Sequence, residues 1–156
     1  MPSDAHPPAG PTSARAFPFA AGTGAVTVAF AAHRRAPVVG DHIDLFIGPR
    51  AAPATDPDAR VARTFRLAST AFAGGGPVPG IFEAMELEPH RAEYLALGRP
   101  RELSNGRGFI EPLRADAGVA TVHDDRFDLH CGGWSAFAEC VDLARWRFTF
   151  RLAEGG

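Results

Sequence analysis

The chain has 156 residues, of which 46% are hydrophobic and 22% charged, a balance that suits one soluble domain with its own core and leaves little room for a second. No apolar run approaches the ~20 residues of a membrane helix, so the chain is not expected to span a membrane. All 16 basic positions are arginine and the formal net charge is -2, so overall charge excludes nonspecific nucleic-acid binding and leaves only a local patch for that purpose.

Residues 1–20 read as a flexible, proline-rich tail, and residues 21–153 as a single domain. An early Asp4 and the lack of an apolar stretch exclude a secretory signal there. Residues 25–32, rich in Val, Ala and Phe, form a first strand. In residues 42–47, Ile43, Leu45 and Ile47 alternate with His42, Asp44 and Phe46, and a strand sends alternate side chains to opposite faces. An imidazole and a carboxylate therefore share one face. Burying such a pair is costly unless it is hydrogen-bonded or holds a cation such as a metal, and His33 on the preceding strand could supply a third ligand.

Residues 49–57 form a turn-rich connection, and residues 61–67 a strand with Val61, Arg63, Phe65 and Leu67 on one face. Residues 73–80, with three consecutive glycines and two prolines, read as a flexible loop. Residues 82–97 fit neither period, and Pro89 interrupts any long helix, so a short helix or irregular turn is expected there. Further strands follow at 108–113, 119–122, 127–131, 134–141 and 146–152, with turns at Asn105 and Gly106, at Asp124 and Asp125, and at Gly132 and Gly133. In the last strand Trp146, Phe148, Phe150 and Leu152 face the core, while Arg145, Arg147, Thr149 and Arg151 face solvent. Many short strands with little helix predict an all-β fold, an antiparallel β-barrel with one or two short helices or irregular turns. In a hairpin at Gly132 and Gly133, Cys131 faces Trp134 and Cys140 faces Asp125, so no disulfide is expected and a reduced, cytoplasmic setting fits.

Several short segments occur in a familiar order: His33, the strand Asp41-His42-Ile43-Asp44-Leu45-Phe46-Ile47, the strand Arg63 to Leu67, the run Pro89-His90-Arg91 to Tyr94 and Leu95, and Glu102 to Gly118. Taken together, residues 25–152 resemble the 3′-phosphoesterase module of bacterial DNA ligase D and the small stand-alone proteins related to it. The resemblance implies a β-barrel that binds a divalent metal, typically manganese, and removes a terminal phosphate or ribonucleotide from 3′ ends of DNA during repair, beside a ligase or polymerase partner. By the same resemblance His33, His42 and Asp44 match the metal ligands, His90 a phosphate-contacting histidine, and Tyr94 a tyrosine four places later. Imidazole and carboxylate ligands suit manganese or zinc, and a metal with open positions can accept water and a phosphate oxygen.

The chain also departs from the pattern. Phe46 stands where the family carries an arginine that clamps the phosphate, and an apolar ring cannot donate the paired hydrogen bonds of a guanidinium. The family's Val-Pro-Lys-Gly lysine has no counterpart, since the chain contains no lysine. Arg66, Arg91 and Arg107 are the candidates to replace these phosphate contacts. Two further readings stand beside the enzyme: a degenerate barrel that holds a metal or a DNA end without turnover, and a small barrel for an apolar ligand, suggested by the abundant Phe.

Overall fold

The computed structural model describes residues 16–153. Most of the tail assigned to residues 1–20 lies outside them; of the rest, Phe17 is half-buried and Pro18 buried against the barrel. The elements are β1 (Gly22–Arg34), β2 (His42–Pro49), α1 (Ala52–Thr55), β3 (Ala62–Leu67), β4 (Phe72–Ala73), β5 (Gly76–Pro77), β6 (Gly80–His90), β7 (Arg101–Glu102), β8 (Phe109–Val122), β9 (Arg126–Cys131), β10 (Trp134–Asp142) and β11 (Arg145–Leu152). Eight strands in the order β1-β2-β3-β6-β11-β10-β9-β8 close through the pairing of β8 with β1, which makes the expected antiparallel barrel. The short β7 adds to β8 alone, and β4 and β5 form a separate ladder.

Alternation along the strands fills the interior. Val26, Val28, Phe30, Ile43, Leu45, Ile47, Phe65 and Leu67 point inward from β1 to β3 and meet Phe127, Leu129, Trp134, Phe148 and Phe150. Near Phe65, Phe127 and Trp146 the core includes one charge. Arg63 is buried over their rings, donates from Nε to Glu86 Oε2 (2.7 Å) and from Nη1 to the Pro18 carbonyl (3.1 Å). A buried guanidinium is tolerable only when so satisfied.

Five expectations need correction. The segment expected as helix or irregular turn is mostly β6; Pro89 is accommodated because the β3–β6 register shifts between Ala62 and Thr64, where a missing N–H costs no ladder bond. Only Ala92–Ala96 beyond it winds, as a 3-10 turn. The strands expected at 108–113 and 119–122 are one long β8, bent by a bulge opposite Phe30 and Ala31 so that it follows β1 throughout. The glycine-rich loop is a tight hairpin of β4 and β5, with Gly74 and Gly75 at φ +65° and +83°, the left-handed pair that such a turn requires. Leu152 is 55% exposed, because β11 runs past the filled part of the barrel. Val61 lies ahead of β3 and packs outside, while Arg63 turns inward.

That outer packing is a second, smaller core. Ala29 and Ala31 of β1, Phe46 of β2, Ala62 of β3 and Ile110 of β8 form an apolar patch on the outside of the barrel, roofed by Ala92 and Leu95 of the 3-10 turn. Gly48 lies directly beneath Leu95, where a Cβ would collide with it. The segment after β6 is thereby clamped over the outer faces of β1, β2 and β8.

Candidate metal centre on the outer face of the barrel

Because Ile43, Leu45 and Ile47 occupy the interior, His42, Asp44 and Phe46 face outward under the clamped segment. The β1–β2 ladder sets His33 directly opposite His42, and Ala31 opposite Asp44. One ligand atom each from His33, His42 and Asp44 lies within 4.8 Å of the others. His33 Nδ1 is 3.4 Å from Asp44 Oδ2 and His42 Nε2 is 3.0 Å from Asp44 Oδ1.

The remaining nitrogen of each ring is tied to a backbone carbonyl. His33 Nε2 donates to the Arg107 carbonyl (2.8 Å) and His42 Nδ1 to the Gly40 carbonyl (2.9 Å). A carbonyl only accepts, so in the neutral rings the nitrogens turned toward Asp44 carry lone pairs. Lone pairs facing a carboxylate repel unless a cation lies between them. Asp44 Oδ1 is buried and, despite the 3.0 Å approach, finds no aligned hydrogen-bond donor. Two imidazole lone pairs and an orphaned carboxylate oxygen converging on one point fit a divalent metal, and carbonyls that hold the outer ring nitrogens are the usual support for such ligands. Gly108 makes one of these supports possible. Its φ is +88°, and a Cβ there would run into the carbonyls of Arg34 and Arg35, so only glycine brings the Arg107 carbonyl up to His33.

The electrostatics match. Burial pushes the Asp44 carboxyl up, but hydrogen bonding and charge from His33 and His42, which these rings supply when protonated, outweigh it, leaving it below its ordinary 3.8. The same carboxylate raises His33 above its ordinary 6.5; burial opposes this and the Arg107 carbonyl adds to it. The metal-free site thus holds an ionised Asp44 near neutral pH and a His33 that keeps its Nδ1 proton to higher pH than a free imidazole does. A metal must displace that proton, whereas Asp44 has none to lose. Metal affinity is therefore expected to fall about tenfold per pH unit below the His33 pKa and to level off above it. Manganese titrations between pH 5.5 and 8.5 check this, and a flat profile would remove His33 from the ligand set.

A cavity of about 180 Å³ adjoins the cluster, lined by His33 and Asp44 together with His90, Tyr94, Arg60, Arg91 and Arg107. His90 Nδ1 lies 3.0 Å from both the Glu88 carbonyl and Thr64 Oγ1, and Thr64 donates its own proton to the Ala62 carbonyl. Nδ1 is therefore the donor and Nε2 is bare. Burial lowers His90 below its ordinary 6.5, with Asp44 and the Glu88 carbonyl opposing, so the ring is neutral at pH 7. Phe46 backs both His90 and Tyr94, at centroid distances of 5.3 and 5.4 Å, and these two meet edge-on at 5.1 Å.

Five of the sequence candidates, His33, His42, Asp44, His90 and Tyr94, thus come together, and Arg91 and Arg107 join them. Arg66 does not line the cavity. It sits across the ladder from Asp44, with a buried Nε lacking a hydrogen-bond acceptor. Arg91 is paired with Glu93 at 2.9 Å, while Arg107 bonds only Ser104 of its own turn. Arg60, which the sequence did not single out, lines the cavity and donates to the Pro89 carbonyl at 3.3 Å. Nothing around it in the sequence marks it; its place depends on how β6 ends. Among the described residues no helix is long and apolar enough to cross a membrane, and both cysteines are free. Compared with protein-family models, curated proteins and solved structures, the chain has no significant match.

Proposed function

We propose that the protein is a metal-dependent phosphoesterase acting on 3′ ends of DNA, with manganese, or zinc, held by His33, His42 and Asp44. The observation that carries this reading is a buried metal cradle opening onto a cavity with two arginines, Arg60 and Arg107, that have no carboxylate partner among the described residues. Free guanidinium groups beside a cation site favour an anionic ligand, and a phosphate monoester carries the charge to engage both. A bound divalent metal would polarise a phosphoryl oxygen and offset charge developing there.

The chain's own groups have separable tasks. Arg60 and Arg107 bind the phosphate within the cavity that His33 and Asp44 also line, taking over from the arginine and lysine that the resemblance leads one to seek. His90, neutral with a bare Nε2, takes the proton of a water whose oxygen bonds to phosphorus and returns it to the 3′ oxygen as the phosphorus–oxygen ester bond breaks, and a bound anion raises its basicity. Tyr94 orients the ester oxygen, and Thr64 holds the His90 ring in one tautomer. The setting that fits is DNA end repair in a reducing cytoplasm, with a ligase or polymerase as partner.

Incubating the folded protein with manganese and a primer ending in a 3′-phosphate is expected to yield a 3′-hydroxyl primer and inorganic phosphate, and Arg107→Ala is expected to slow this by at least about tenfold. Absence of product removes the enzymatic reading. A second reading then stands, that of a module which holds a DNA end without turnover. It is favoured by Phe46, which is fully buried where a clamp would be sought.

A further inference from the structure

A second cavity, of about 250 Å³, lies on the same outer face, and Tyr94 lines both it and the metal cavity. On β1 and β8 the metal cavity touches His33 and Ile110, whereas the second cavity touches Ala31 and Pro112, two residues further along each strand. Two strand residues span about 7 Å, close to the separation of a phosphate from the base of the same nucleotide. The outer wall is formed by Leu97 and Gly98 beyond the 3-10 turn. The lining exposes polar and apolar surface in comparable amounts; Ala31, Leu97 and Pro112 are among its apolar residues, and its one charged side chain is Arg114, anchored by Asp116 and by the carbonyls of Gly75 and Gly132. Such a mixed lining suits a nucleoside: apolar side chains for the face of a flat ring system, polar groups for the sugar and the ring edges, and a cation at the rim.

The opposite flank of the metal cavity differs. There Arg60 borders a larger, more open depression walled by Glu88 and by Glu86, which Arg63 pairs, and the Glu88 carboxylate disfavours a phosphodiester chain. The cavity beyond Tyr94 is the one that can accept the rest of a nucleic-acid substrate.

We infer that the cavity bounded by Tyr94, Gly98 and Pro112 is a nucleoside subsite, which receives the sugar and base attached to a phosphate bound beside His33, His42 and Asp44. This rests on the phosphoesterase reading and adds where in the fold the terminal nucleoside of its substrate is received. It also gives Tyr94 a positioning task, as the shared wall that fixes how the ester bond crosses from one cavity to the other.

Gly98 provides the test. It is exposed, and a Cβ there meets nothing within 4 Å, so a large side chain can be introduced without backbone strain. Calorimetric titration in manganese would compare inorganic phosphate with thymidine 3′-monophosphate on the wild-type protein and on Gly98→Phe. The wild type should bind the nucleotide at least tenfold more tightly than phosphate. In Gly98→Phe that preference should shrink to about one, with phosphate affinity unchanged. A nucleotide that binds no better than phosphate to the wild type, or a preference that survives Gly98→Phe, overturns the subsite while leaving the phosphate site standing. Failure of both ligands to bind overturns the phosphoesterase reading and the subsite together.

Discussion

Asp44→Ala is expected to lower metal affinity by at least about a hundredfold while leaving the metal-free barrel folded. Loss of an outer support to a ligand already costs about 10–100-fold, and Asp44 is the central carboxylate of the set, within reach of both histidines. Folding should tolerate the change for a reason visible in the site. The carboxylate is 2% exposed with an orphaned oxygen, so removing it discards a buried charge rather than stranding one. Without Asp44, His33 loses what holds its proton and reverts to a neutral ring. Metal analysis of purified protein together with thermal melts in chelator measures both halves. Wild-type metal content in Asp44→Ala would sink the centre, and a collapsed melting temperature would show that the carboxylate supports the fold instead.

Phe46→Ala should be the most destabilising single change at the site, costing about 3–5 kcal/mol, as truncation of a fully buried phenylalanine does. Phe46 fills the outer core between Ala29, Ala62, Leu95 and Ile110 and stands behind His90 and Tyr94, so its loss should also loosen both rings. Denaturant titration reads the stability, and phosphate titration in manganese reads the loosening. The same packing decides what Phe46→Arg does. Restoring the arginine of the resembling family places a charge in a dry patch, and the expected result is a destabilised protein rather than a more active one. A Phe46→Arg protein as stable as wild type and faster on 3′-phosphate would refute the backing role.

The barrel was largely legible because one strand pattern repeats. Ile43, Leu45 and Ile47 against His42, Asp44 and Phe46, and the aromatic alternation of residues 146–150, need only period-two reading. The segment 82–97 was not legible, since β6 carries Pro89 and exposes Ile81 and Met85, so its pattern is set by a bulge and not by alternation. The metal ligands could be proposed from type and order, yet their location outside the barrel could not. It depends on a second core made mostly of alanines, which carry little periodic signal. Arg60 was missed for the same reason, since only the clamped segment brings Pro89 and the cavity to it.

His33 and His42 are cross-strand partners at the end of the β1–β2 ladder, and the chain between them leaves the sheet and returns, its Gly40 carbonyl holding His42 Nδ1. Ladder register therefore sets their separation, whatever the number of residues in the connection. Insertions or deletions there that keep Gly40 beside His42 would leave both candidate ligands where they are, so a search for related centres that fixes the interval between the two histidines would pass over proteins built this way. The criterion that survives such changes is positional: one histidine closing a strand, the next opening its antiparallel neighbour, and a carboxylate two places further in.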